Sequence, residues 1–460
     1  GLLIQGNGIG SIFPADHKNF APRLGFSYQP TGNADLVVRG GAGIFYDQIN
    51  MNPFLDFRPP ISGADGLADN PVGPHSVANY SASAFTWQPN TYIFPKNFPC
   101  PTLSGCVDPL TNNPLTYNVY SVNQNFKTPY FYNYNLQIEK GFGNGAAVLQ
   151  VGYVGSAGHR LLVVDNITSP QILATYPNIG TAIQINSVGN SNYNSLQSTL
   201  RLRTWRGMSG QVAYTWAHAL DTMTEYRGQI QTDYNHPSLD YGSADFDTRQ
   251  AFTAFWSYDI PGSSHGPKVL THGWQLSTLI SFHGGEPFNF NGGSLGFSQG
   301  SGAQRPGMSV IADPFAGVSH SFNRSIGGVQ WVNPAAFCVP GSTLFSGGTC
   351  PGIAGGPGNL GRNAYAAPGF GDVDFSVIKN ISFTERVKLQ LRGEMFNIFN
   401  RKNYATGAGS VGAGTCTISS TCPSGFSGGV VGDTIGDFFG SPGLGPGEPF
   451  NIQIAAKIVF

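Results

Sequence analysis

The sequence predicts an all-β protein, a transmembrane antiparallel β-barrel with about eleven strands visible. Three observations predict it. Strand-length segments alternate apolar and polar residues, short turns and long loops join them by turns, and charged residues make up only 11% of the 460 residues while aromatics reach 13%. An ordinary soluble domain carries roughly 25% charged residues. The balance of Lys+Arg 24 against Asp+Glu 25 leaves a formal charge of -1, which excludes a basic nucleic-acid binder and a charge-solvated disordered chain. No apolar run reaches the roughly 18 residues that a spanning helix needs, so a crossing of the bilayer falls to strands.

In chain order the expected strands begin with Phe20 to Tyr28 and Leu36 to Tyr46. In the third, Tyr130, Tyr132, Tyr134, Leu136 and Ile138 alternate with Asn133, Asn135, Gln137 and Glu139. Ala146 to Val154 precedes a fifth in which Leu196, Leu200 and Leu202 alternate with Gln197, Thr199, Arg201 and Arg203. Met208 to Trp216, Ala251 to Tyr258, Trp274 to Phe282 and Phe370 to Ile381 follow. Val387, Leu389, Leu391, Gly393 and Met395 then oppose Arg386, Lys388, Gln390, Arg392 and Glu394 in strict alternation. The last strand sets Phe450, Ile452, Ile454, Ala456, Ile458 and Phe460 against Asn451, Gln453 and Lys457. Period two with one oily face is the signature of a strand that meets two different surroundings.

Gly/Pro/Asn turns close some neighbours, at Gln29 to Ala34, Gly141 to Gly145, Arg206 to Gly207 and Ser382 to Glu385. The alternate connections run from roughly 27 to 85 residues, lengths that compact soluble domains rarely carry. Short turns on one side and long loops on the other describe an outer-membrane barrel with periplasmic turns and extracellular loops. A soluble β-sandwich or propeller is the competing reading, but it explains neither the loop asymmetry nor a final strand ending on an aromatic. Tyr28, Tyr46, Trp216, Tyr258, Phe399 and Phe460 are placed for interfacial girdles. If the last strand descends, the first descends too, and the visible count is odd. About eleven strands are half of a barrel of about 22, the class with a plugged lumen. Residues 1–460 are therefore expected to form a single, partial barrel domain, and Gly1, without Met or an apolar signal region, is expected either to follow a removed leader or, the favoured reading, to start a fragment.

All six cysteines fall in expected outer loops, as the close pairs Cys100/Cys106, Cys338/Cys350 and Cys416/Cys422. Closing the small local rings as disulfides is the expectation in an oxidising compartment. Zinc is the alternative, disfavoured because no pair has C-x-x-C spacing.

Two adjoining runs, Asn19-Phe-Ala-Pro-Arg-Leu-Gly-Phe-Ser-Tyr28 and Val38-Arg-Gly-Gly-Ala-Gly-Ile-Phe-Tyr-Asp47, resemble the mid-barrel signature of Oar-like TonB-dependent outer-membrane transporters. The likeness continues through Thr128-Pro-Tyr130, Val151-Gly-Tyr-Val-Gly-Ser156, Asp245-Phe-Asp-Thr-Arg249, Gly273-Trp-Gln-Leu276, Gly358-Asn-Leu-Gly-Arg-Asn363 and Glu394-Met-Phe-Asn-Ile-Phe-Asn400. Each motif is short, and their order across the chain is what makes the likeness specific. The resemblance implies a carboxypeptidase-regulatory-like domain and a plug ahead of the barrel, both absent from this sequence. It also implies energised transport, with the TonB system pulling on the plug through that missing N-terminal region. The barrel-assembly machinery is expected to read the terminal strand ending at Phe460.

Other chemistry is thin. His218, Asp221, Glu225, Asp233, His236, Asp240, Asp245 and Asp247 crowd one outer loop. They read either as a Ca²⁺ or transition-metal site or as loop solvation, with Asp245, Asp247 and Arg249 fixing the start of a strand by turn and ion-pair contacts. The spacings match no metal loop, and no G-x-S-x-G, H-E-x-x-H or G-x-x-x-x-G-K-[ST] occurs, so neither an enzyme nor a cofactor is expected. Arg23, Arg39, Glu139, Arg201, Arg203, Asp372, Asp374, Arg386, Lys388, Arg392 and Glu394 share the polar parity of their strands. They are expected to face a wet lumen, where they hold a plug, line a substrate path or pair among themselves. Loop aromatics such as Tyr80, Phe85, Trp87, Tyr92, Phe94, Phe290, Phe297 and Trp331 either meet an unknown ligand or pack their own loops. Two functions from different classes fit: transport of a bulky ligand across the outer membrane, and a surface display or adhesion barrel without energised transport.

Overall fold

The computed structural model describes residues 13–48, 116–224, 232–290, 309–404 and 449–460, with short gaps inside these stretches, and a few isolated strand residues elsewhere. Eleven strands make the path of the main sheet. They are β1 (Arg23–Tyr28), β2 (Leu36–Tyr46), β3 (Tyr130–Phe142), β4 (Ala147–Asn166), β5 (Ile179–Trp205) and β6 (Met208–Asp221), followed by β7 (Gln250–Asp259), β8 (Trp274–His283), β9 (Phe370–Ser382), β10 (Lys388–Phe396) and β11 (Asn451–Val459). Each pairs antiparallel with the next, so that spatial order repeats chain order without a crossover. The protein is thus an up-and-down meander.

Residues directly opposite on neighbouring strands share a face, so the registers carry one parity across the whole sheet. Phe26 stands opposite Gly40, Gly40 opposite Leu136 and Leu136 opposite Tyr153, and Tyr153 faces Leu196, which faces Trp216. The same face continues through Phe252 and Phe282, and on the last strands through Val377, Leu389, Leu391, Ile454 and Ile458. The opposite face carries Arg39, Gln137, Gln197, Thr215, Asn380, Gln390 and Lys457. Phe255 and Leu279 are an apolar pair within that polar face.

Turn chemistry sets the short ends. Arg206 and Gly207 bridge the Trp205↔Met208 pair with φ of 50° and 80°, the positive angles that suit a two-residue hairpin to strand twist. A Cβ on Gly207 would stand 2.7 Å from the Asp259 carbonyl, so glycine is required there. At the first turn the Lys140 ammonium and the Thr31 hydroxyl hold the Asp35 carboxyl below its ordinary value. Between β7 and β8 a short helix, Lys268–Thr271, caps the turn side. Lys379 belongs to the apolar face there, opposite Trp274. Its ammonium donates to the Leu270 carbonyl at 3.3 Å and to that of His272, and lies 4.7 Å from the Trp274 ring. A lysine on the oily face is tolerated because its head reaches backbone carbonyls at the membrane edge.

At the other end the structure departs from the expected loops. The connection expected after Val154 is largely strand: β4 and β5 continue as one hairpin to the Asn166↔Ile183 pair, with a register shift at Arg160. Thr116–Val122 adds to β5 in parallel. Val122, Phe126 and Ile185 bury a small core there with Phe13 and Leu162. A second outer core joins Phe288, Val332, Ala336, Phe337, Leu360 and Ala367. Among the described residues these two clusters lie at this end, outside the paired wall.

β1 and β11 are the edges of the path, and among the described residues they do not pair with each other. Leu24 and Ile454, on these edges, are 84% and 85% exposed.

The parity makes a direct prediction. Leu391→Arg sets a cation on the oily face, at roughly 2–4 kcal/mol near the midplane, and is expected to abolish heat-modifiable barrel in outer-membrane fractions. Lys388→Gln, one face over, is expected to leave its level unchanged.

Candidate functional site

The outer end of β6 is built around one cation. Arg362 has a fully buried side chain, carried there by the Gly358 to Asn363 segment. Its Nε donates to the Asp240 carbonyl at 2.9 Å, and Nη2 donates to the Asp221 carbonyl at 2.8 Å and also to the Asp221 carboxylate. Nη1 reaches Asp245 Oδ1 and Thr224 Oγ1, both at 3.4 Å. Asn363, at φ 51°, donates to the Ser243 carbonyl at 2.8 Å and to Asp245 Oδ1 at 2.6 Å. Thr224 donates to Asp221 Oδ2 at 2.7 Å, and the Asp240 carboxylate accepts the Thr232 N–H at 2.8 Å. A buried guanidinium offers five donors in a fixed fork, and here that fork ties three chain segments together.

This assigns the acidic cluster. Asp247 Oδ2 lies 2.8 Å from His218 Nδ1 while its Oδ1 accepts the Ala219 N–H at 2.8 Å. Asp233 lies 2.7 Å from His236, whose hydrogen bond holds that carboxyl below its ordinary value. Asp245 pairs with Arg362 at 3.4 Å. Among the described residues no group of three His, Cys, Asp or Glu side chains is placed to hold a metal ion. Glu225 lies outside the described residues.

The polar wall spreads its charges over the sheet. Arg39 pairs with Glu139 at 3.4 Å, and Arg392 with Glu394 at 3.7 Å. Arg201 donates to Gln211 at 3.2 Å, and the Arg23 guanidinium lies 4.2 Å from the Phe45 ring centre. Asp374 accepts the Asn397 N–H at 3.0 Å, which ties it to the turn beyond β10, while Asp372 Oδ1 accepts no hydrogen bond among the described residues. Lys388 sits at the first position of β10, opposite Val459. Arg386 precedes β10, and Arg203 lies where the β5–β6 register shifts, so the ladder pairs neither of them.

Cys338 and Cys350 form a disulfide across a separation of 12 residues. Cys100, Cys106, Cys416 and Cys422 lie outside the described residues, as do Tyr80, Phe85, Trp87, Tyr92 and Phe94. Trp331 packs within its own loop: it stacks on His320 at 4.5 Å and donates to the Ala366 carbonyl at 2.9 Å. Phe460 follows β11 and is 94% exposed.

A family model described as outer membrane beta barrel domain matches residues 1–426. The chain belongs to this outer-membrane β-barrel family. The oily face of the sheet thus meets lipid of the bacterial outer membrane. Solved structures similar to this barrel include the outer membrane transporter YddB from Escherichia coli, at 9% identity and TM-score 0.45, with 96% of this chain and 40% of that one covered. The ferric enterobactin receptor PfeA of Pseudomonas aeruginosa, in a mutant form, gives 10% identity and TM-score 0.44 at the same coverage. The pyoverdine outer membrane receptor FpvA of Pseudomonas aeruginosa gives 9% and 0.40, with 96% and 36% covered. The barrel chain thus spans well under half the length of these structures. No curated protein matches it.

Removing the central cation tests the outer knot. Arg362→Ala removes the cation that the Asp221 and Asp245 carboxylates share, and breaking a buried pair costs about 3–5 kcal/mol. Protease cleavage of the outer loops on intact cells is expected to quicken at least tenfold while the wall stays heat-modifiable, and Arg362→Lys is expected to fail to restore it.

Proposed function

We propose that this chain is the barrel portion of an Oar-like TonB-dependent transporter that moves a bulky ligand across the outer membrane. The observation that carries the reading is a polar wall on which charge recurs along the sheet, from Arg23, Arg39 and Glu139 to Lys388, Arg392 and Glu394. Charges are tolerated on a barrel wall that faces water and are costly on one that faces lipid. Eleven strands in sequential order, whose two edges do not pair among the described residues, are half of a barrel of about 22, the class with a wide lumen that a plug fills. The ordered motifs from Asn19 to Asn400 support the same reading. In it the regulatory-like domain and plug precede this chain, and TonB engages the plug. The polar wall holds the plug or lines the path, and the barrel-assembly machinery reads the strand ending at Phe460. The bulky ligand lands on the outer loops.

A display or adhesion barrel is the second reading. It is favoured by the amount of internally folded structure at the outer end: the Arg362 knot, the Cys338–Cys350 ring and two small cores. In vivo photocrosslinking of the full-length product to TonB separates the two. The transport reading expects a TonB adduct from a segment ahead of the barrel, and abundant folded barrel with no adduct would overturn it in favour of display.

A further inference from the structure

The lipid-facing parity does not stay oily to its outer end. On β3, β4 and β5 it runs outward through Ile138, Val151 and Ser198, then Leu136, Tyr153 and Leu196. Three rows of another kind follow: Tyr134 opposite Gly155 opposite Asn194, Tyr132 opposite Ala157 opposite Asn192, and Tyr130 opposite His159 opposite Asn190. Each row sets a tyrosine on one side, an asparagine on the other and, in the first two, a small residue between.

The rows are organised. Tyr134 lies across Gly155, where an added Cβ would collide with its ring, and its hydroxyl donates to Asn194 Oδ1 at 3.2 Å. Tyr153 donates to the same oxygen and stacks on Tyr134 at 6.1 Å. Asn194 donates in turn to Asn192. His159 Nδ1 lies 3.1 Å from Asn190 Oδ1, and its ring packs against Tyr130 and Tyr132 at 5.4 and 5.7 Å. A cavity of about 320 Å³ opens beside them, lined by Ala157, His159, Asn190, Asn192, Thr222 and Tyr241 among others. Arg160, at φ 57°, holds its guanidinium 5.3 Å from the Tyr130 ring at the same rim.

Three amides on this parity would be expensive in hydrocarbon, because a buried amide without a full set of partners costs several kcal/mol. The rows therefore stand above the acyl region, continuous with the lipid-facing band below them. What reaches that level from the leaflet is a head group. Aromatic faces beside amide and hydroxyl groups suit a sugar ring, which presents C–H and O–H surfaces together, and Arg160 supplies charge complementary to a phosphate.

We propose that this patch binds the phosphorylated sugar head group of an outer-leaflet glycolipid, with its acyl chains on Leu136, Val151 and Leu196. The assignment is independent of transport. The test is native mass spectrometry of the full-length protein extracted from outer membranes, titrated with bis-phosphorylated lipid A or with dioleoyl phosphatidylglycerol. Wild type is expected to retain lipid A at least tenfold better than phosphatidylglycerol. The Asn192→Leu/Asn194→Leu variant is expected to lose that preference, and Thr199→Val, on the opposite face, to keep it. Equal retention of the two lipids by wild type would overturn the proposal whether or not the variant folds, and so would an unchanged preference in a folded variant.

Discussion

Every backbone N–H and C=O that enters hydrocarbon must find its partner inside the protein, because no water is there to take its place. The sequential ladder of β1 to β11 meets that demand by pairing each strand with its neighbour in the chain. Once the ladder exists, period two does the rest. One register step turns a side chain from lipid to the opposite medium, so Leu389 and Leu391 are committed to one face and Lys388 and Gln390 to the other. Two lysines on the oily parity are met at its ends: Lys379 reaches backbone carbonyls and the Trp274 ring, and Lys140 reaches the Asp35 carboxylate.

Above the membrane the constraint changes. Water satisfies exposed loops, so order there has to be built locally, and the barrel does it with small closed units. Arg362 gathers Asp221, Asp240 and Asp245, a disulfide closes Cys338 to Cys350, and two compact apolar clusters bury Ile185 and Phe288. A guanidinium buried among carboxylates and carbonyls is a specific arrangement, since removing any partner strands a charge away from solvent. The polar wall below is looser. Its charges pair locally, as Arg39 with Glu139, or lie against a ring, as Arg23 against Phe45.

The strands were legible in the sequence because a two-faced environment imprints alternation, and the Arg206-Gly207 turn because a glycine at Gly207 accepts the positive φ that a two-residue hairpin needs. The Cys338–Cys350 ring was legible from its short spacing. The protruding hairpin of β4 and β5 was not. Beyond Val154 the alternation is interrupted by Gly155, Gly158 and Gly189, and the strand leaves the lipid that enforces it. Arg362 was hidden for another reason. Its motif was visible, but its carboxylate partners Asp221 and Asp245 lie 141 and 117 residues away, a distance over which sequence pattern carries no pairing signal.

The central claim is that one parity of the ladder meets lipid and the other a wet interior. Nitroxide labels placed singly at positions 195–202 of β5 in the full-length protein, read by collision with oxygen and with a water-soluble nickel chelate, test it most directly. Even-numbered positions, which share the face of Leu196 and Leu200, are predicted to be oxygen-accessible, and odd-numbered ones, with Gln197 and Arg201, nickel-accessible. Alternation of the opposite phase, or none, would contradict the account.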